Sequence, residues 1–208
     1  MERLSILFLS TLLSVTLLRA QCSDAGACVI GHRLQSPKHQ VGVTYVFGKS
    51  GKNDELSFHT GRLEGDFSLL ERSRLSVEIP YSSQSGPLGS VSGIGDPIIV
   101  WIQTLYREMT STLLFHLGFK LSIVDANSEN LPQAYQSTLG TNDVLVGFSY
   151  EYNVWNASVV YQLSRGRSDN NLTRPRRGDD ILVRSGYHFT VKEAKIVGEL
   201  LAIKRLEK

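Results

Sequence analysis

Residues 111–124, STLLFHLGFKLSIV, carry Leu113, Phe115, Leu117, Phe119, Leu121 and Ile123 at alternate positions, with Thr112, His116, Gly118, Lys120 and Ser122 between them. Residues 143–154, DVLVGFSYEYNV, repeat the pattern: Val144, Val146, Phe148, Tyr150, Tyr152 and Val154 alternate with Asp143, Gly147, Ser149, Glu151 and Asn153. Residues 155–164, WNASVVYQLS, set Trp155, Ala157, Val159, Tyr161 and Leu163 against Asn156, Ser158, Val160, Gln162 and Ser164. Successive side chains leave a strand on opposite faces, so a period of two means strands. Ordinary strands are about 5–6 residues long, whereas a tilted strand that crosses a bilayer needs roughly 9–11. Long, repeated alternation predicts an all-β fold, an antiparallel transmembrane up-and-down β-barrel with the apolar set toward lipid and the polar set toward a lumen.

The same pattern extends outward along the chain. Strands are expected at residues 39–47, 56–69, 73–81, 97–106, 111–124, 143–154, 155–164, 180–191 and 195–203, nine in all. The fourth is apolar on both faces (Ile98, Ile99, Val100, Trp101, Ile102), so its facing cannot be taken from the pattern. Short connections at 107–110, 154–155 and 191–192 alternate with long ones at 82–95, 125–141 and 168–177, as expected where tight turns lie on one side of a membrane and loops on the other. Tyr81, Tyr106, Tyr152, Trp155, Tyr187 and Phe189 fall near strand ends, the positions of an interfacial aromatic girdle. Single-chain bacterial barrels have even strand numbers; about 10–12 are expected of a complete wall here, so nine strands point to one short of closure.

The first 20 residues, an apolar run from Leu4 to Leu18 closed by Arg19-Ala20, have the form of a secretory signal peptide with cleavage before Gln21. Residues 21–38 form an N-terminal segment holding both cysteines, Cys22 and Cys28, and the barrel domain is expected over 39–208. Export permits a disulfide between Cys22 and Cys28; lipidation of Cys22 is disfavoured by Arg19 and Gln21 beside it. Charge is nearly balanced, with 22 Lys and Arg against 20 Asp and Glu, which leaves no electrostatic footprint for nucleic acid. The basic group Arg165, Arg167, Arg174, Arg176 and Arg177 is flanked by Asp169, Asp179 and Asp180 and reads as a solvated loop.

The alternation assigns Arg62, Glu64, Asp66, Arg74, Glu78, His116, Lys120, Glu151, Arg184, His188 and Glu199 to the lumen. Both signs are present, so a cross-strand network that satisfies its own charges is the minimum expectation, and a charged ring that tunes a pore is the alternative.

The stretch Leu75-Ser76-Val77-Glu78-Ile79-Pro80-Tyr81, a Ser/Gly loop, and then Ser92-Gly93-Ile94-Gly95-Asp96 opening an apolar strand resembles the "MetA-pathway of phenol degradation" family of outer-membrane channels. Gly118-Phe119-Lys120-Leu121 before a long loop, Leu139-Gly140-Thr141-Asn142-Asp143 after it, and Arg177-Gly178-Asp179 continue the likeness, which spans roughly Val41 to Ile203. The resemblance implies a barrel in the outer membrane that passes small apolar or aromatic compounds; lipid and a small solute are its expected partners. Locally, Gly93 and Gly95 would permit a tight or bulged start to the strand, and Asp96 would cap that turn through its side chain.

Other chemistry finds little support. Catalytic hydrolysis would need a Ser, a His and a carboxylate within reach, and no Gly-x-Ser-x-Gly elbow is present. No Cys/His metal spacing, phosphate loop or dinucleotide fingerprint occurs, so no cofactor is expected. A soluble ligand-binding barrel would place the same alternation inside out, and the pattern alone is symmetric under that inversion.

Overall fold

The computed structural model describes residues 30, 39–50, 55–165, 170–172, 178–191 and 194–206. The expected signal peptide and both cysteines lie outside these residues. Among the described residues, ten strands form one antiparallel sheet curved into a half-barrel. They are β1 (His39–Lys49), β2 (Ser57–Leu70), β3 (Ser73–Gly86), β4 (Gly89–Ile94), β5 (Ile98–Arg107), β6 (Ser111–Lys120), β7 (Asn142–Tyr152), β8 (Trp155–Arg165), β9 (Asp180–Val191) and β10 (Ala194–Arg205). The wall runs β1-β2-β3-β5-β6-β7-β8-β9-β10, with β4 paired to β3 beside β5.

The residues expected to form a loop at 82–95 are instead a hairpin. β3 continues to Gly86, Gly89 takes a φ of 141° in the turn, and β4 returns against Tyr81–Gly86. Ser and Gly resemble turn signals, but backbone pairing outweighs composition here. Because β4 and β5 both run antiparallel to β3, over Tyr81–Gly86 and Ser73–Glu78 respectively, they are one wall stave broken at Gly95-Asp96-Pro97. Nine staves therefore alternate in direction, which matches the nine expected, and β1 and β10 run the same way. Among the described residues the two are not paired with each other.

The strand expected at 111–124 ends at Lys120. There the Leu121 amide bonds to the Pro97 carbonyl (2.9 Å) and the Ser122 amide to the Asn142 side chain (2.9 Å), which turns the chain out of the wall. At the opposite end the turns are tight; Asn153, with a φ of 53°, makes the one between β7 and β8.

Register fixes the facing of each stave. Ile98, Val100, Ile102 and Thr104 of β5 are buried on the concave face, while Trp101 and Leu105 are exposed on the convex one. The polar set of the other staves shares that concave face, and the apolar set lines the convex face. Phe119, Val146, Phe148, Val159, Tyr161 and Val183 are all exposed, Val183 at 49%. Most charged side chains thus lie on the concave face and most exposed large apolar ones on the convex face, with one buried apolar cluster on the concave side.

Candidate functional site: the concave face

The site is built by cross-strand neighbours on the concave face, where residues directly opposite one another have their Cβ atoms about 4.5–5.5 Å apart.

At the loop end, the register sets Lys120 beside Ile98 on one side and Asp143 on the other. Its ammonium lies 2.9 Å from Asp143 and 3.6 Å from Asp96, with all three side chains buried. Gln162 donates from Nε2 to Asp143 (2.6 Å), and Thr141 accepts from the ammonium at 3.3 Å. One stave further on, Asp180 accepts a hydrogen bond from Arg205 at 3.0 Å. Buried charge is tolerated only when paired and hydrogen-bonded, and this tier meets that condition.

An apolar belt interleaves with these residues, Ile98 sharing a cross-strand row with Lys120 and Ile102 with His116. Ile98, Val100 and Ile102 of β5, Leu114 of β6, Leu145 of β7, Val160 of β8 and Leu182 of β9 form one buried cluster. Ile30, which precedes the wall in sequence, belongs to the same cluster and is 3% exposed.

Toward the turn end the face is polar again. His116 Nε2 lies 2.7 Å from the Ser149 hydroxyl, His188 Nε2 lies 3.1 Å from Asn156 Oδ1, and Arg184 faces Glu199 at 3.7 Å. On the β2–β3 side Arg62 faces Glu78 at 3.8 Å.

All eleven residues assigned to the lumen fall in the concave register. Glu78, His116, Lys120 and Arg184 are buried; Arg62, Glu64, Asp66, Arg74, Glu151 and His188 are half-buried; Glu199 is on the more open edge stave. The structure joins seven of them, Arg62, Glu78, His116, Lys120, Arg184, His188 and Glu199, into pairs or bonds with named partners. Cross-strand pairs thus line the concave face. The partners that alternation did not single out are Asp143, Gln162 and Asp180, polar residues of the inward register, and the belt itself. The belt had a signal in the sequence: Leu114, Leu145, Val160 and Leu182 are apolar residues at positions that alternation reserves for polar ones.

The motif Ser92-Gly93-Ile94-Gly95-Asp96 has a different role from the turn expected of it. Asp96 does not cap its own turn. Its carboxylate accepts hydrogen bonds from the Thr138 hydroxyl and from the Leu139 amide (3.3 Å), more than 40 residues away. Neither Gly93 nor Gly95 has a positive φ. They serve close approach instead: a Cβ at Gly95 would lie 2.7 Å from the Ser137 carbonyl oxygen, and one at Gly93 3.2 Å from the Ser137 hydroxyl. The motif is a clasp for the connection between β6 and β7.

That connection holds two single-turn 3-10 helices, Ser128–Asn130 and Gln133–Tyr135. Gln84 donates to the Gln136 carbonyl (2.7 Å), the Tyr135 hydroxyl accepts from the Leu88 amide (3.2 Å), and Asn170 donates to the carbonyls of Ala126 (2.8 Å) and Leu131 (2.9 Å). The connection is thus bonded to the β3–β4 hairpin on one side and to Asn170 on the other, at the loop end of the half-barrel.

No protein-family model matches the chain, and no curated protein matches it.

Proposed function

We propose that the chain forms the wall of an outer-membrane β-barrel of the phenol-degradation channel type, exported through its N-terminal signal peptide, and serves as a passive conduit for small apolar or aromatic compounds. One observation carries the membrane reading: the sheet buries Lys120, Asp143, His116 and Arg184 on its concave face and exposes Phe119, Val146, Phe148 and Val159 on its convex face. In water each exposed apolar side chain forgoes about 25 cal/mol per Å² of burial; in lipid the same face is at home, and the strand lengths of 10–14 residues for most staves suit a tilted crossing. The aromatic residues support it: Tyr106, Tyr152, Trp155 and Tyr187 are exposed near the turn end, where Trp155 and Tyr187 pack edge to face with ring centroids 4.6 Å apart. The inverted alternative, a soluble lipocalin-type barrel, would need these rings inside.

A second reading is favoured by the paired charges of the concave face: a filled barrel with a structural role and no open pore. Cell fractionation, with a heat-modifiability gel shift on the outer-membrane fraction, tests the barrel. A soluble protein without a shift overturns it. Conductance in planar bilayers then separates conduit from filled wall.

A further inference from the structure

The connection between β6 and β7 is seated on the inner face of the wall. On β3, Ser82, Gln84 and Gly86 share the register of Glu78, and β4 sets Gly93 opposite Ser82. The connection is bonded to that face. The Ser82 hydroxyl donates to the Ser137 carbonyl (3.4 Å), Gln84 to the Gln136 carbonyl (2.7 Å), and the Ser137 hydroxyl to the Ile94 carbonyl (3.3 Å). Gly86 leaves room for it, since a Cβ there would lie 2.6 Å from the Tyr135 hydroxyl. The opposite face of the hairpin, with Tyr81 and Ile94, is exposed. The connection is also organised within itself: Gln136 donates to the carbonyls of Ser128 (3.0 Å) and Leu131 (2.8 Å), and Ala126, Tyr135, Gln136 and Thr138 are all buried.

Its place decides what covers the loop-end charges. Ile98 and Asp143 flank Lys120 within its row. Beyond that row the connection supplies the partners: Thr141 accepts from Lys120, while Thr138 and Leu139 donate to Asp96. Two features let the connection move as one piece. Side-chain bonds hold it in place of a strand ladder, and segments held in this way open at low local free energy. Its feet are also joined, by the Ser122 amide donating to Asn142 Oδ1 (2.9 Å) where β6 ends and β7 begins. We propose that residues 122–141 are a hinged strap. Seated, the strap covers Lys120, Asp96 and Asp143; lifted about its joined feet, it opens this charged row of the concave face to solutes arriving from the loop end. The proposal concerns access to that face and does not draw on the conduit reading.

The test uses the full chain in a Cys22→Ser, Cys28→Ser background. A Cβ on Gly93 would lie 3.9 Å from the Ser137 Cβ, inside the roughly 3.5–4.5 Å that a disulfide needs, so Gly93→Cys with Ser137→Cys can lock the strap. Ser82→Ala and Gln84→Ala, added to this pair, remove two tethers that touch neither Lys120 nor its carboxylates. Modification by an amine-reactive ester is followed by mass spectrometry at Lys120 and at the exposed Lys49. The expected result is Lys120 labelling at least about tenfold slower in the oxidised than in the reduced protein, with Lys49 unchanged. Equal Lys120 rates in the two states overturn the strap, because the staves alone would then bury the lysine; failure of the disulfide to form overturns the seat. Hydrogen exchange of the wild-type chain is a readout that needs no substitution. The amides of Leu131, Tyr135, Gln136 and Leu139 should exchange together, at least about tenfold faster than the ladder amides of β6 and β7. Exchange no faster than the ladder would mean that the connection does not open apart from the wall, and would overturn the hinge.

Discussion

One methyl group at Gly95 would meet the Ser137 carbonyl at 2.7 Å, a backbone atom that cannot swing aside as a side chain does. Gly95→Ala is expected to destabilise the protein by about 1–3 kcal/mol, the usual cost of overpacking, and to loosen the connection between β6 and β7; melting in detergent and limited proteolysis within residues 121–141 would register both. Lys120 presents the opposite problem, loss of a charge. Lys120→Met leaves Asp96 and Asp143 buried without their shared cation, and breaking a buried pair costs about 3–5 kcal/mol. Urea unfolding in liposomes should show that loss, and adding Asp96→Asn and Asp143→Asn should recover most of it. A triple variant as unstable as the single one would mean that lost packing along the lysine stem, and not stranded charge, sets the cost. At this scale the sequence was partly legible. The glycines and Asp96 stood out as a motif, but their partners, Ser137 to Leu139, are more than 40 residues away and no local rule reaches them.

At the scale of the strand, alternation was a dependable guide because a one-residue slip would turn every side chain to the other face. It is least informative where both faces are apolar. β5 needed its neighbours: pairing with Glu78 and Lys120 turns Ile98 inward and leaves Trp101 outside. The 82–95 stretch was read by composition as a loop and folds as a hairpin, since β3 supplies backbone partners on which Ser and Gly can pair. The convex face makes a prediction of its own. Phe148 on β7 is exposed and packs tilted against Phe115 of β6 at a centroid separation of 5.4 Å. Phe148→Arg should cost about 2–4 kcal/mol in a bilayer, as a cation does near the midplane of a barrel's lipid face. Unfolding in liposomes would measure it, together with a drop in the outer-membrane fraction. A change near zero would place this face in water.

The described residues form a curved wall with two edge strands, β1 and β10. Because nine staves alternate in direction, β1 and β10 run parallel; a direct seam between them would be a parallel pair, and an all-antiparallel seam requires an odd number of added strands. Were the wall to sit in lipid, as proposed, edge amides and carbonyls left without partners would be costly. Hydrogen exchange of the isolated chain in detergent should therefore grade across the wall, with amides of β6–β8 protected at least about tenfold more than those of β1 and β10; uniform protection would show that the edges are paired. The sequence by itself determined most of the strands, their period and the division into an apolar and a polar face, because side-chain alternation is a property of a single extended chain. It left open which face is inside. Only the tertiary structure decided that, by curving the sheet so that the charged register pairs with itself across neighbouring strands. The same curvature brought the exceptions to alternation, Leu114, Leu145, Val160 and Leu182, together with Ile30 into one belt, a grouping that depends on register between strands and is invisible along any one of them.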